Sequence, residues 1–222
     1  MPDAKRVLDI AVAGAGLLVA APALLALAVA VKLDSPGPAF FVQTRVGRGR
    51  RPIRIPKLRT MVSDADRKGP QITSGADSRI TRVGALLRRM KLDEVPQLWS
   101  VLRGDMSLVG PRPEVERYVA MYRPEWQQLF DVRPGITDPA SLSFRHEADL
   151  LTGATDRERA YVEVIMPLKL ELALRGVQQQ SVTHDVGVIA RTVMALFRRE
   201  RDDDPVLVEA RRRIAELNRE SE

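Results

Sequence analysis

Between residues 10 and 31 the chain carries only Ala, Val, Leu, Ile, Gly and Pro. Wound as a helix at about 1.5 Å per residue, this run would reach roughly 33 Å, close to the hydrocarbon thickness of a bilayer. It offers no polar face that would suit a soluble core helix. It is too long for the apolar part of a signal peptide, and cleavage would leave a mature chain starting inside a charged segment. The pattern predicts a membrane-inserted helix. Pro22 stands near its middle, where a missing N–H removes one hydrogen bond and tends to kink a helix. Positive charge flanks both ends, Lys5 and Arg6 before it and Lys32 with the 45–59 arginine cluster after it. The positive-inside tendency puts both flanks on the cytoplasmic side. A helix bent at Pro22 that dips in and returns satisfies both; a straight span is the alternative. Arg6 and Asp9, three apart on one face, are expected to pair at the interface.

Beyond residue 34 the periodicity changes. Ala39-Phe40-Phe41-Val42 and Pro52-Ile53-Arg54-Ile55 flank Gly47-Arg48-Gly49-Arg50, which predicts a hairpin and gives the only convincing strand signals in the chain. Segment 64–78 is polar with Gly and Pro and reads as a surface loop, a candidate flap. Thr81 is expected to cap a short helix in which Val83, Leu86, Leu87 and Met90 keep helical spacing. A second helix follows, with Val95, Leu98, Trp99 and Leu102 as its buried face. Residues 104–113 form a rigid loop in which Pro111 and Pro113 bracket Arg112. Residues 114–131 read as a helix interrupted at Pro124, and 132–137 as a cationic turn. Residues 157–175 and 185–199 are helical by spacing (Tyr161, Val164, Ile165, Leu168; Val186, Ile189, Val193, Phe197), with Pro167 a candidate kink in the first. After Asp204 comes a charged helix of weak apolar content. The expected fold is α+β and predominantly helical. A re-entrant membrane helix occupies residues 1–34, a compact cytoplasmic domain with a short hairpin residues 35–200, and a charged helical tail residues 201–222. Three placements stay open for the helices from His184 onward: against the fold, on the bilayer as amphipathic helices, or in a homodimer contact.

Composition narrows the chemistry. A formal net charge of +6 on 222 residues, with a pI near 10, points to an anionic partner. Aromatics at 5% disfavour a protein that stacks single-stranded bases. With no cysteine, disulfides, thiol catalysis and cysteine zinc sites are excluded. His146 and His184 are the only histidines, which argues against a multi-histidine metal centre.

One stretch concentrates the candidate chemistry: Lys91-Leu92-Asp93-Glu94-Val95-Pro96-Gln97-Leu98-Trp99. Pro96 suits the first turn of a helix, placing Asp93 near the N-cap and Glu94 just inside. A plain capping role would explain both carboxylates taken alone. Their cationic company changes the weighing. A diphosphate needs several cations, a divalent metal, or both. Glu94 can give an oxygen to Mg²⁺, Asp93 can act as a nucleophile, and Lys57, Arg59 and Arg88 are candidates to stabilise a phosphoryl transition state. Arg48, Arg50 and Arg51 read as a solvated basic surface.

Lys57-Leu58-Arg59-Thr60-Met61, Ile80-Thr81-Arg82-Val83-Gly84, Leu92-Asp93-Glu94-Val95-Pro96-Gln97-Leu98-Trp99 and residues 102–113 occur in an order and spacing that resembles the monotopic phosphoglycosyl transferases. These bacterial sugar transferases start polysaccharide and glycoconjugate assembly, and the resemblance runs over nearly the whole chain, in the family's minimal form. It implies that a UDP-sugar donates sugar-1-phosphate to polyprenyl (undecaprenyl) phosphate through an aspartyl-phosphosugar intermediate, releasing UMP at the cytoplasmic face of the bacterial inner membrane. Carried over, Asp93 is the nucleophile, Glu94 holds Mg²⁺, and Lys57, Arg59 and Arg88 bind phosphate. Pro111, Arg112 and Pro113 line the nucleotide site, and Arg145 is a further substrate contact. The expected partners are the UDP-sugar, the polyprenyl phosphate and the bilayer, with no nucleic acid. The chain departs from the family at Ala21-Pro22, where Ser-Pro is usual at the membrane kink, and at Leu58, where Phe is common. It also has Asp138-Pro139-Ala140-Ser141 where many relatives continue Gly-Leu, in a loop expected to face the sugar. Two readings from other classes stand beside this one, a membrane-tethered basic adaptor and a Mg²⁺-dependent hydrolase of nucleotide diphosphates.

Overall fold

A computed structural model describes residues 2–65, 77–197 and 204–220. Most of the loop expected at 64–78 lies outside the described residues. The chain is mostly helical with two small sheets. Helix α1, Pro2–Asp34, contains the apolar run and Pro22. It is long and apolar enough to cross a membrane. Leu18, Val19 and Leu25 on it are 70–81% exposed, a surface suited to lipid.

Both ends of α1 dock on the same body. Near its start, Arg6 donates to the carbonyls of Val101 (2.6 Å) and Leu102 (2.8 Å). Asp9, 2% exposed, accepts from Ser107 Oγ and Leu108 N–H at 3.1 and 3.0 Å. The expected Arg6–Asp9 pair is thus replaced by four hydrogen bonds to the domain, two from each residue, which satisfy polar groups that a bare apolar helix would leave buried and unpaired. At the other end Val31 is buried with Leu58 and Leu87, and Asp34 accepts from Val83 N–H at 2.9 Å.

The predicted hairpin forms: β1 (Phe40–Val46) and β2 (Pro52–Leu58) pair antiparallel, with Phe41 opposite Lys57. Thr81 caps α2 (Arg82–Arg89), its side chain accepting from Gly84 N–H at 3.0 Å. Only Gly84 and Leu87 of that helix are buried; Leu86 and Met90 are half exposed. A Cβ on Gly84 would stand 2.1 Å from the Thr60 carbonyl oxygen, so glycine lets α2 lie directly on the end of β2.

The segment around the two carboxylates departs from expectation. Leu92–Gln97 is a 3-10 turn, and the α-helix α3 starts only at Leu98, running to Arg103. A 3-10 turn advances about 120° per residue against about 100° in an α-helix, so the downstream faces rotate. The buried positions are Asp93, Pro96, Gln97, Ser100 and Val101, and Trp99 is 56% exposed. Lys91, not Asp93, holds the N-cap position, in a left-handed conformation with φ 56°.

A second sheet was not legible in the sequence. Strands β3 (Ser107–Val109) and β4 (Gly135–Thr137) pair in parallel, within segments read as loop and turn. Residues 114–131 hold a short helix α4 (Glu116–Val119) and a 3-10 segment at Pro124–Asp131 instead of one interrupted helix. Then follow α5 (Pro139–Ser143), α6 (Glu147–Thr152) and α7 (Arg157–Ala160). A π-turn, Tyr161–Ile165, leads into α8 (Met166–Gln178). Pro167 cannot donate to the preceding turn, and the helix widens just ahead of it. Helices α9 (Val182–Phe197) and α10 (Pro205–Glu220) end the chain. Leu207, Ala210 and Ile214 of α10 are buried in the largest core cluster with Tyr161, Ile165 and Leu170.

Candidate active site

The hairpin, the 3-10 turn and the loop after β3 converge on Glu94. Lys57, at the end of β2, lies 3.4 Å from Glu94 Oε1. The Arg112 guanidinium grips the same carboxylate as a fork, one nitrogen reaching Oε2 at 3.0 Å and the other bonding Oε1. Burial alone would raise the Glu94 carboxyl, but Arg112 and Lys57 hold it well below the usual carboxylate range. Burial lowers Lys57 to about 8, against the opposing pull of Glu94. Arg112 is shifted the other way, up, chiefly by the charge of Glu94.

Asp93 is different. It is buried, and its Oδ1 has no hydrogen-bond partner. Burial, and then the neighbouring Glu94 charge, raise its carboxyl above the ordinary value, with Lys57 and Arg88 pulling the other way. Arg88 is positioned from α2, its Nε donating to Thr60 Oγ1 at 2.8 Å.

The loop carrying Arg112 is fixed from several sides. Gly110 N–H donates to the Thr137 carbonyl at 3.0 Å, and Gly135 N–H to the Pro111 carbonyl at 3.0 Å. Arg45 on β1 donates to the Pro113 carbonyl (3.0 Å) and pairs with Glu114 at 2.8 Å. Tyr161 donates its hydroxyl to Glu114 at 2.5 Å. Pro111, Arg112, Pro113, Lys91, Glu94 and Arg145 all line one cavity of about 1430 Å³. Asp93 and Lys57 adjoin Glu94 but are not on that wall, and Arg88 is off it as well.

Arg59 does not join the cluster. Its guanidinium donates to the carbonyls of Pro36 (2.5 Å), Ser35 (2.6 Å) and Val31 (3.3 Å) and to Ser63 Oγ (2.6 Å). It fastens the C-terminal end of α1 and the two residues after it to the domain. Arg48, Arg50 and Arg51 are exposed, as their composition implied. Sequence reasoning missed three contributors: Arg45 and Glu114, which brace the loop, and Lys91, which lines the cavity and donates to the Arg145 carbonyl at 3.2 Å. The signal for Lys91 was its place two residues before Asp93. Arg45 was indistinguishable from its arginine neighbours until the register set which face it occupies.

Among the described residues no three acidic or histidine side chains gather as a metal cage. A cation that brings most of its shell with it is another matter. Asp93 Oδ1 is unpartnered, and Glu94 Oε2 accepts only from Arg112. These two oxygens fit a hard divalent ion completed by phosphate and water.

The family profile described as bacterial sugar transferase matches residues 2–199. Similar proteins include the UDP-glucose:undecaprenyl-phosphate glucose-1-phosphate transferase of Caulobacter vibrioides, 42% identical over 198 residues, 87% of this chain and 69% of that one. The UDP-N-acetylgalactosamine-undecaprenyl-phosphate N-acetylgalactosaminephosphotransferase of Aeromonas hydrophila is 43% identical over 196 residues, 87% of this chain and 43% of its own. A putative undecaprenyl-phosphate N-acetylgalactosaminyl 1-phosphate transferase of Bacillus subtilis is 47% identical over 110 residues, 50% of this chain and 62% of that one. The matched region is thus well under two thirds of the Aeromonas protein and slightly under two thirds of the Bacillus one. With the profile covering nearly the whole sequence, the chain belongs to the bacterial sugar transferase family.

Proposed function

We propose that this protein transfers sugar-1-phosphate from a UDP-sugar to undecaprenyl phosphate, the first membrane step of polysaccharide synthesis. The observation that carries the reading is the pairing of a buried, unpartnered carboxylate, Asp93, with a neighbour already neutralised by two cations. Two adjacent carboxylates of equal standing would suit a metal-only role. Here Glu94 is held ionised by Arg112 and Lys57, while Asp93 is less solvated and so a better nucleophile.

In the first step an Asp93 oxygen attacks the β-phosphorus, and the bond to the UMP oxygen breaks, UMP leaving with the electron pair. In the second, an acceptor phosphate oxygen attacks the same phosphorus, and the aspartyl bond breaks to restore the carboxylate. Asp93 and Glu94 would hold Mg²⁺ with the diphosphate, where it offsets charge on the phosphoryl oxygens. Arg112 orients the diphosphate from the cavity wall, and Lys57 and Arg88 supply positive charge near Asp93. Arg145 on the same wall is a donor contact. Relatives named for glucose and for N-acetylgalactosamine support a UDP-hexose or a UDP-N-acetylhexosamine as donor.

We read α1 as re-entrant, with the domain on the cytoplasmic side. Support comes from Arg6 and Asp9 near one end and Val31 and Asp34 at the other, all docked on one body, while Leu18, Val19 and Leu25 between them form an exposed apolar face.

Intact-protein mass after brief exposure to UDP-glucose or UDP-N-acetylgalactosamine with Mg²⁺ and no lipid tests the mechanism. A gain of one sugar-phosphate, lost in Asp93→Asn, is expected. UMP release with the same kinetics in Asp93→Asn would remove the covalent route.

A further inference from the structure

The cavity beside Glu94 has two characters. Arg112, Lys91, Arg145 and Glu114 make one side of its lining ionic. Leu98, Ile136, Leu142 and Ile189, each only partly buried, bring α3, β4, α5 and α9 into one apolar cluster, and all four also line the cavity. Each thus gives apolar surface to the lining, beside the hydroxyls of Thr137 and Thr192, which bond each other at 2.8 Å between β4 and α9. Val193, one helical turn beyond Ile189, lines the cavity and is 52% exposed, so the apolar limb reaches the surface there. Val186 lies on the same face of α9, seven residues earlier, and is 49% exposed. The limb also abuts the membrane helix: a Cβ on Gly16 of α1 would stand 3.2 Å from Leu98 Cδ1.

Volume points the same way. A cavity of about 1430 Å³ exceeds the roughly 300–1,000 Å³ of an ordinary small-molecule site. A UDP-sugar needs an ionic and hydrogen-bonding surface and gains little from an aliphatic wall. The acceptor has the complementary character, a phosphate that must reach Asp93 and a tail that must stay out of water.

We infer that the limb walled by Leu98, Ile136, Leu142, Ile189 and Val193 receives the first isoprene units of the acceptor lipid. It thereby aims the acceptor phosphate at the phosphorylated Asp93, and α9 acts as the acceptor-binding helix. This rests on the transferase reading, and the test separates the two.

The full-length protein in lipid nanodiscs is photolabelled with a farnesyl phosphate carrying a diazirine on its tail, in the absence of any UDP-sugar. Label on Leu142, Ile189 or Val193 that undecaprenyl phosphate competes away is expected. Label elsewhere only, or label here that undecaprenyl phosphate does not displace, overturns the assignment. Val193→Trp then narrows the mouth of the limb. The sugar-phosphate adduct should still form, which also shows that the variant is folded, while its discharge by undecaprenyl phosphate slows roughly tenfold or more. Slowed adduct formation with normal discharge would assign the limb to the donor, and no change in either step would leave it without a substrate role; both overturn the inference. Competed label in the limb of a wild-type protein that forms no adduct would keep the lipid site and sink the transferase reading.

Discussion

Arg112 and Lys57 share one carboxylate, but they do different work. Arg112 binds Glu94 through two parallel contacts, a geometry an ammonium cannot reproduce. Arg112→Lys keeps the charge and loses the fork. Steady-state kinetics should show KM for the UDP-sugar rising about tenfold, with a smaller change in kcat. An unchanged KM would mean that Arg112 braces Glu94 without meeting the donor. Lys57 carries the pH signature. Burial lowers it to about 8, so the free enzyme loses this cation as pH rises through that value, and the ammonium is present below it. The profile of kcat/KM should therefore fall on an alkaline limb near pH 8. Lys57→Arg stays charged throughout, so any activity it retains should lack that limb. A limb that persists unmoved in the variant belongs to another group.

Elements hold these side chains where they are, and two glycines show how closely. Gly135 of β4 lies so near Gly110 that a Cβ on it would stand 2.1 Å from the Gly110 nitrogen. Gly135→Ala should push β4 from the loop bearing Arg112 and cost about 1–3 kcal/mol in thermal unfolding, with donor KM rising in parallel. A melting point equal to the wild type would show that the loop is held by its other contacts. This sheet is also where sequence reasoning stopped. Three-residue strands leave no alternation to detect, and their pairing depends on partners 28 residues apart, as in Ser107 with Gly135. The hairpin was legible because seven-residue strands flank a Gly-rich turn. The acidic pair was legible as chemistry but not as geometry. Its neighbours wind as a 3-10 turn, which Pro96 permits and which no period of 3.6 describes. Arg59 was misplaced for a related reason. A cation at a strand end is equally suited to phosphate or to helix-end carbonyls, and only the fold shows that Ser35 and Pro36 stand beside it.

At the scale of the whole molecule the question is how a helix long and apolar enough to cross a bilayer and a cationic body would meet one membrane. Helix α1 has 33 residues, so a straight rod would run roughly 50 Å. If it crossed the bilayer in that form, its two ends would lie in different aqueous compartments. The docking contacts argue against this. Lys5 pairs with the buried Asp185 of α9 and donates to the Val109 carbonyl at 3.0 Å, while Arg59 holds the carbonyls of Ser35 and Pro36 at the other end. On the re-entrant reading, one body satisfies both sets from the same face of the bilayer. The absence of native cysteine allows a direct test. Ala4→Cys and Pro38→Cys, placed at exposed positions just outside the docking contacts, are expressed singly in intact cells. A membrane-impermeant thiol reagent added outside should label neither, and both should react once the membrane is opened. Labelling of one site alone from outside would establish a straight span, and the contacts at that end would then have to form in some other state of the protein. Labelling of both from outside would keep the re-entrant geometry and invert the face on which the sugar-phosphate is transferred.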